Sequence, residues 1–190
     1  MTRLVLSLLL ILLTSTNSWS QEGNISVNVI QNGELIPAKD GIINLKSEEF
    51  TFEITAEHLT SFLIGITTTK ELYTATLADY ELQQPWFKSY AMADYPFNPN
   101  RELLLSDQAP NYWHFTSPED HRFDHSPQGT NEHWTAKRTI RTLNDLHNKK
   151  TIPINEFKNS VYLYFYSPIY DDQYKLIKIK PLYSVELRFN

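Results

Sequence analysis

FTFEIT, residues 50–55, is the stretch on which the fold turns. Phe50, Phe52 and Ile54 fall on every second position, with Thr51, Glu53 and Thr55 between them. In an extended chain successive side chains point to opposite faces, so this spacing makes one apolar face and one wet face. Aromatic and β-branched side chains also fit a pleated surface better than a helix. The stretch is expected to be a half-buried strand.

The same period of two recurs on either side. ISVNVI (residues 25–30) sets Ile25, Val27 and Val29 on one face. Asn32-Gly33 and Asp40-Gly41 follow, each suited to a tight turn that needs positive φ. SFLIGIT (residues 61–67) and LYTATLA (residues 72–78) are expected as two further strands, joined as a hairpin across residues 67–71. Near the C-terminus, YSVELRF (residues 183–189) turns Tyr183, Val185, Leu187 and Phe189 inward and Ser184, Glu186 and Arg188 outward. YKLIKIKP (residues 174–181) alternates Ile177 and Ile179 with Lys178 and Lys180. These two are expected as a terminal antiparallel pair, with Pro181-Leu182 in the connection. DDQYK, at residues 171–175, fits a hairpin turn. NSVYLYFYSP (residues 159–168) differs, because Tyr162, Tyr164 and Tyr166 oppose the equally bulky Val161, Leu163 and Phe165. A strand with two bulky faces is expected to be central or covered on both sides.

Between these ends the alternation fades, over residues 80–135. Prolines 85, 96, 99, 110, 118 and 127 punctuate an insert crowded with Trp, Tyr and Phe. Disordered linkers lack aromatics, so the insert is expected to pack on the core, with short strands at RELLL (residues 101–105) and NYWHF (residues 111–115). WTAKRTIRTLNDLHNK (residues 134–149) fits a strand through Leu143 with a turn at Asn144-Asp145. Ile140, Leu143 and His147 also share a helical face, so the runner-up is an α+β fold with one helix near 136–148. The leading expectation is an all-β chain: an antiparallel β-sandwich, Ig-like or jelly-roll-like, with a long aromatic- and Pro-rich insert.

Compartment follows from the first twenty residues, MTRLVLSLLLILLTSTNSWS. One charge, Arg3, precedes an apolar run over residues 4–13, and Ser18 and Ser20 supply the small side chains of a cleavage site. This is the pattern of a secretory signal peptide cut near Ser20-Gln21. The run is about half the length of a membrane span, and no later stretch is longer. The mature chain, residues 21–190, is expected to be a single β-rich domain, secreted or periplasmic, with no membrane span. The sequence holds no cysteine, which excludes a disulfide framework, thiol catalysis and thiolate metal sites. Without Arg3 there remain 16 Lys and Arg against 22 Asp and Glu, a net −6 that argues against a nucleic-acid partner.

Two clusters carry candidate chemistry. HRFDHSPQGTNEH, residues 121–133, holds His121, His125 and His133, with Asp124 as an oxygen ligand; zinc accepts such a set. The spacing matches no compact ligand motif, and residues 126–129 read as a turn. The second cluster is aromatic. Trp86, Tyr90, Tyr112, Trp113 and Trp134 are candidate contact anchors, since exposed Trp and Tyr bury much area at small entropic cost. No nucleophile elbow, phosphate loop or dinucleotide fingerprint is present in the sequence. The leading expectation is an exported, non-catalytic binding domain that takes protein or carbohydrate through aromatic-rich loops, without a cofactor. The alternatives are a metal-binding protein or metal-dependent hydrolase centred on the histidines, and an accessory subunit of an envelope assembly. The exported protein is expected to start at Gln21, which an intact-mass measurement reads directly; a mature chain that retains Arg3 contradicts the cleavage.

Overall fold

The structure, a computed structural model, describes residues 22–78, 102–116 and 123–190. Among them lie β1 (Asn24–Gln31), β2 (Glu34–Leu35), β3 (Ile42–Leu45), β4 (Phe50–Glu57) and β5 (Ser61–Thr67). A helix, α1 (Lys70–Ala78), precedes β6 (Leu103–His114), β7 (Gln128–Thr130), β8 (His133–Ile140) and β9 (Thr142–Asp145). β10 (Lys150–Pro153), β11 (Ser160–Tyr170) and β12 (Leu176–Phe189) complete the chain. The strands form a five-stranded sheet, ordered β2-β1-β4-β8-β7, and a seven-stranded sheet, ordered β10-β9-β6-β5-β11-β12-β3. The fold is mostly β and sandwich-like, as the alternation predicts. It is not purely antiparallel, because β3 runs parallel to β12 and β9 parallel to β6.

β4 shows how the alternation becomes a core. Phe50, Phe52 and Ile54 are buried to the last percent. They meet the second sheet directly: Phe52 lies edge-on to Phe165 at 6.3 Å, and Phe50 lies 5.9 Å from Phe189. The wet face of β4 is paired with β8. Thr51 bonds Thr139 and Thr55 bonds Thr135, each at 2.9 Å, and Glu53 forms an ion pair with Lys137 between them. Such cross-strand pairs, rather than the strand alone, stabilise a solvated face. Hydrogen bonding to Lys137 is the main reason that the Glu53 carboxyl is held below its ordinary range.

β11 is covered on both faces. Val161, Leu163 and Phe165 face the inter-sheet core, while Tyr164 and Tyr166 belong to a second cluster with Leu63, Leu176 and Ile179. α1 lies over that outer cluster through Leu72, Tyr73 and Leu77. Here the structure corrects the sequence: LYTATLA is helix, not strand, and residues 67–71 lead into it rather than forming a hairpin. Tyr73, Ala75 and Leu77 alternate as a strand would, but Leu72, Tyr73, Thr76 and Leu77 also share one side of a helix. Covering the tyrosine face decides between the two, with the Tyr73 ring tilted against Tyr162 at 5.0 Å. Thr76, fully buried, turns its hydroxyl back to the Leu72 carbonyl at 2.8 Å.

Three further corrections concern boundaries. Residues 103–105 of RELLL and 111–114 of NYWHF belong to one strand, β6, not two. Residues 136–148 hold no helix: β8 ends at Ile140, the chain crosses to the other sheet at Arg141, and the turn falls at residues 146–149, past Asn144-Asp145. Pro181-Leu182 is no connection either, since β12 runs unbroken from Leu176 to Phe189 and pairs with β11. Phe165 pairs with Tyr183 but Tyr166 with Pro181, so Leu182 is an extra residue, a bulge. One extra residue reverses which face a strand presents. Ile179 therefore packs in the outer cluster, while Tyr183, Val185 and Leu187 pack in the inner one. The turns do fall where Asn-Gly and Asp-Gly place them: Asn32 and Gly33 have φ of 54° and 80°, Asp40 and Gly41 of 52° and 74°.

Truncating Phe52 to Ala should cost about 3–5 kcal/mol, the range for a buried aromatic. Thr51→Ala on the same strand should cost no more than about 1 kcal/mol, one hydrogen bond. Urea denaturation reads both, and equal losses would contradict the two-faced strand.

Candidate functional site

The β11–β12 hairpin reaches beyond its neighbour. β5 pairs with β11 only from Tyr162 to Tyr166, so residues 167–170 and their β12 partners extend past its ladder as a two-stranded ribbon. The tip is tightly tied. The Asp171 N–H donates to the Lys175 carbonyl at 2.9 Å, and the Tyr174 N–H donates to the Asp171 carbonyl at 3.0 Å. Asp171 Oδ1 accepts the N–H groups of Gln173 and Lys175 at 2.9 and 2.8 Å. This is the short-range bonding that makes Asp a turn residue.

What the tip displays is unusual for a turn. Tyr174 has a φ of 58° and is 90% exposed. A non-glycine residue in the left-handed region is strained, and the phenol ring gains no packing in return. Ile169, Tyr170 and Ile177 are exposed alongside it. Those four side chains belong to one hairpin, whereas the remaining exposed large apolar side chain among the described residues, Leu35, sits on β2. Ile177 is exposed because Tyr170 pairs with Leu176 and Ile169 with Lys178, leaving it as the extra residue of a second bulge. Tyr112, on β6, adjoins the patch. Burial chiefly raises the Tyr170 hydroxyl above its ordinary range, and charge repulsion from Tyr112 adds to this.

A second feature lies at the opposite end of β11. A cleft of about 950 Å³ opens there between the segment leading into α1, the β9–β10 turn and the residues just before β11. Its polar wall includes Thr68, Thr69, Asn148, Asn159 and Ser160. Leu105, Ile152 and Phe157 supply apolar surface, and Tyr162 adds an aromatic ring. Asp145 shapes the turn: its two oxygens accept the Asn148 backbone N–H at 3.0 Å and the Asn148 side-chain amide at 2.7 Å. That backbone bond is the chief cause that holds its carboxyl below the ordinary range. Ser160 is fixed from beneath, donating its hydroxyl to Glu186 at 2.6 Å, where Arg188 Nη2 also donates at 2.8 Å.

The sequence-derived candidates scatter. Trp86, Tyr90 and His121 lie outside the described residues. Trp113 and Trp134 are in the core, not on a contact surface: Phe62 is stacked between them at 5.8 and 5.9 Å. The reason is period. Trp134 shares the inward face of β8 with Ala136 and Ile140, and its indole N–H donates to the Leu59 carbonyl at 2.6 Å. Tyr112 is half-buried beside the hairpin patch and is the one anchor among the described candidates that meets it. Among the described residues the candidate ligands His125, Asp124 and His133 do not share one place. Asp124 accepts the Thr139 hydroxyl at 2.7 Å, near the far end of β8 from His133. Six residues of strand separate them by about 20 Å, too far to share an ion. His125 is exposed, and His133 lies 3.9 Å from Glu57. Among the described residues no group of three or more His, Asp or Glu is placed to hold a metal.

Sequence reasoning took DDQYK as a turn, which it is, and missed what the turn presents. A tyrosine three residues after an Asx-type aspartate was the available signal. No protein-family model, curated protein or solved structure matches the chain.

Replacing Tyr174 with Gly should stabilise the protein by about 0.5–1 kcal/mol, since relief of the left-handed strain outweighs the added freedom of the unfolded chain. Thermal unfolding reads the sign, and a destabilised variant would show that the ring has packing the exposure does not reveal. Glu186 gives a pH test. Burial raises its carboxyl, but hydrogen bonds from Ser160 and Arg188 outweigh that and hold it below its ordinary range. Its contribution is thus present above the ordinary carboxylate range and lost as pH falls through the lowered folded value. Glu186→Gln should be less stable than the parent at neutral pH and lose less on acidification; parallel pH profiles would contradict this.

Proposed function

We propose that the chain is an exported, non-catalytic binding domain that docks on a protein partner through the tip of the β11–β12 hairpin. The observation that carries this reading is Tyr174, held at a φ of 58° with its ring 90% exposed. A fold gains nothing internally from such a residue, and glycine would serve the turn better. Strain and exposure together suit a group kept for contact outside the chain. Tyr170, Ile169 and Ile177 widen the surface, and Tyr112 borders it.

Protein is favoured over sugar at this place. Ile169 and Ile177 offer branched aliphatic surface, which packs against apolar side chains, whereas sugars favour flat rings with flanking hydrogen-bond groups. An exposed tyrosine on a fixed turn beside aliphatic side chains is the composition of a contact hot spot. Export rests on the N-terminal pattern of Arg3, the apolar run and the small residues before Gln21. Among the described residues no helix is long and apolar enough to cross a membrane.

A photocrosslinking side chain placed at Ile177 in the exporting cell should give a discrete protein adduct. The same probe at Asn155, an exposed residue away from the hairpin, should not. Adding Tyr174→Gly to the Ile177 probe should remove the adduct while leaving the fold as stable or more so. No adduct, or equal adducts from both positions, would overturn the assignment.

A further inference from the structure

We propose that the cleft at the Ser160 end of β11 binds a neutral oligosaccharide, as a second site independent of the hairpin tip. The two places stand at opposite ends of an eleven-residue strand, about 30 Å apart by strand rise. The cleft's volume of about 950 Å³ is at the upper end for a small-molecule site and accommodates roughly two or three sugar rings.

Its chemistry selects the ligand class. Thr68 and Thr69 bring hydroxyls able to donate and accept, Ser160, whose hydrogen goes to Glu186, brings an acceptor, and Asn159 brings an amide with both functions. Sugar hydroxyls need that mixture, because every one of them both donates and accepts. The C–H faces of a pyranose need apolar surface, which Tyr162, Ile152 and Phe157 offer. Charge excludes the main rivals. The described lining holds no Lys or Arg, the residues that recognise phosphate or carboxylate, so the lining itself offers an anionic ligand no fixed cation. The Asp145 carboxylate is engaged by Asn148 through both oxygens, which leaves it poorly placed to seize a cation. An acyl chain would need a mostly apolar lining, and this one is mostly polar.

The walls are set before a ligand arrives. Ser160 is fixed by Glu186, the β9–β10 turn by Asp145, and Tyr162 by its ring contact with Tyr73. Preorganised partners lower the ordering cost of binding. Thr68 and Asn159 are exposed, so they can be changed without removing buried surface from the core.

The experiment is a titration of the full mature chain with cellotriose, maltotriose and chitotriose, followed by amide chemical-shift mapping. At least one should perturb Thr68, Asn148 and Asn159 saturably, with a Kd of about 1 mM or tighter. The double variant Thr68→Ala plus Asn159→Ala should weaken that binding by about tenfold or more while retaining the parent's melting temperature. Tyr174→Gly should leave it unchanged, which separates this site from the hairpin. Three results would overturn the proposal: no perturbation of the cleft by any of the three sugars, perturbation that survives the double variant undiminished, or saturable binding of inorganic phosphate in place of sugar.

Discussion

The Phe62 ring sits between two indoles, Trp113 from its own sheet and Trp134 from the opposite one. Stacked aromatic rings bury large areas and add a specific geometric preference to that burial. This stack therefore fixes how the two sheets face each other at one end of the sandwich, and Phe123 closes against Trp113 at 5.0 Å. At the other end Phe50 meets Phe189, which meets Phe157 at 5.5 Å. Between them Phe52 and Phe165 make the central contact. A chain without cysteine has no covalent staple, and aromatic burial between sheets takes that role. It also removes the two tryptophans from any contact surface. The contacts proposed here are instead assigned to the two ends of β11.

β11 and β12 form the spine that makes this possible. The inner face of β11 is held by the sandwich core and the outer face by α1 and its tyrosine partners. With both faces held, the strand can be long and can extend past its β5 neighbour. The two bulges in β12 adapt it to that length. The one at Leu182 switches the strand from outer to inner packing, and Pro181, which has no N–H to give to a ladder, sits beside it. The one at Ile177 leaves an isoleucine unpaired in the ladder and exposed near the tip. Bulges re-aim side chains, and here one serves the core while the other serves the surface.

Much of this was legible where two signals agreed. At residues 50–55, period and β-propensity point the same way, and Phe50, Phe52 and Ile54 are buried accordingly. Asn32-Gly33 and Asp40-Gly41 were legible because positive φ is demanded by the turn and tolerated by those residues. Residues 72–78 were not, because LYTATLA satisfies a period of two and a helical face at once; a tertiary contact with Tyr162 and Tyr164 settles it, and no local signal carries that. Pro181 misled for a related reason. A proline in a strand pattern ordinarily marks an end, and only the pairing register reveals a bulge. The candidate site was the least legible part. Aromatic density marked the middle of the chain, yet density does not distinguish Trp134, which faces inward on β8, from Tyr174, which faces water. That distinction depends on which strands neighbour each other.

The two ends of β11 also differ in what they ask of the fold. At the tip, a tyrosine is held against its backbone preference with its ring in water, so the local structure opposes the display and only the Asp171 hydrogen bonds keep it fixed. At the Ser160 end, Asn148 is bonded to Asp145 and Ser160 to Glu186, so two parts of the wall are held by the fold itself. Strain that a turn does not need is most simply explained by something the turn meets. A cleft whose walls are partly held without a ligand suits a weak, neutral one that adds hydrogen bonds at Thr68, Thr69 and Asn159 without displacing those present. The physical asymmetry between the two ends, apolar and exposed at one, polar and concave at the other, is the reason for assigning them to different classes of partner.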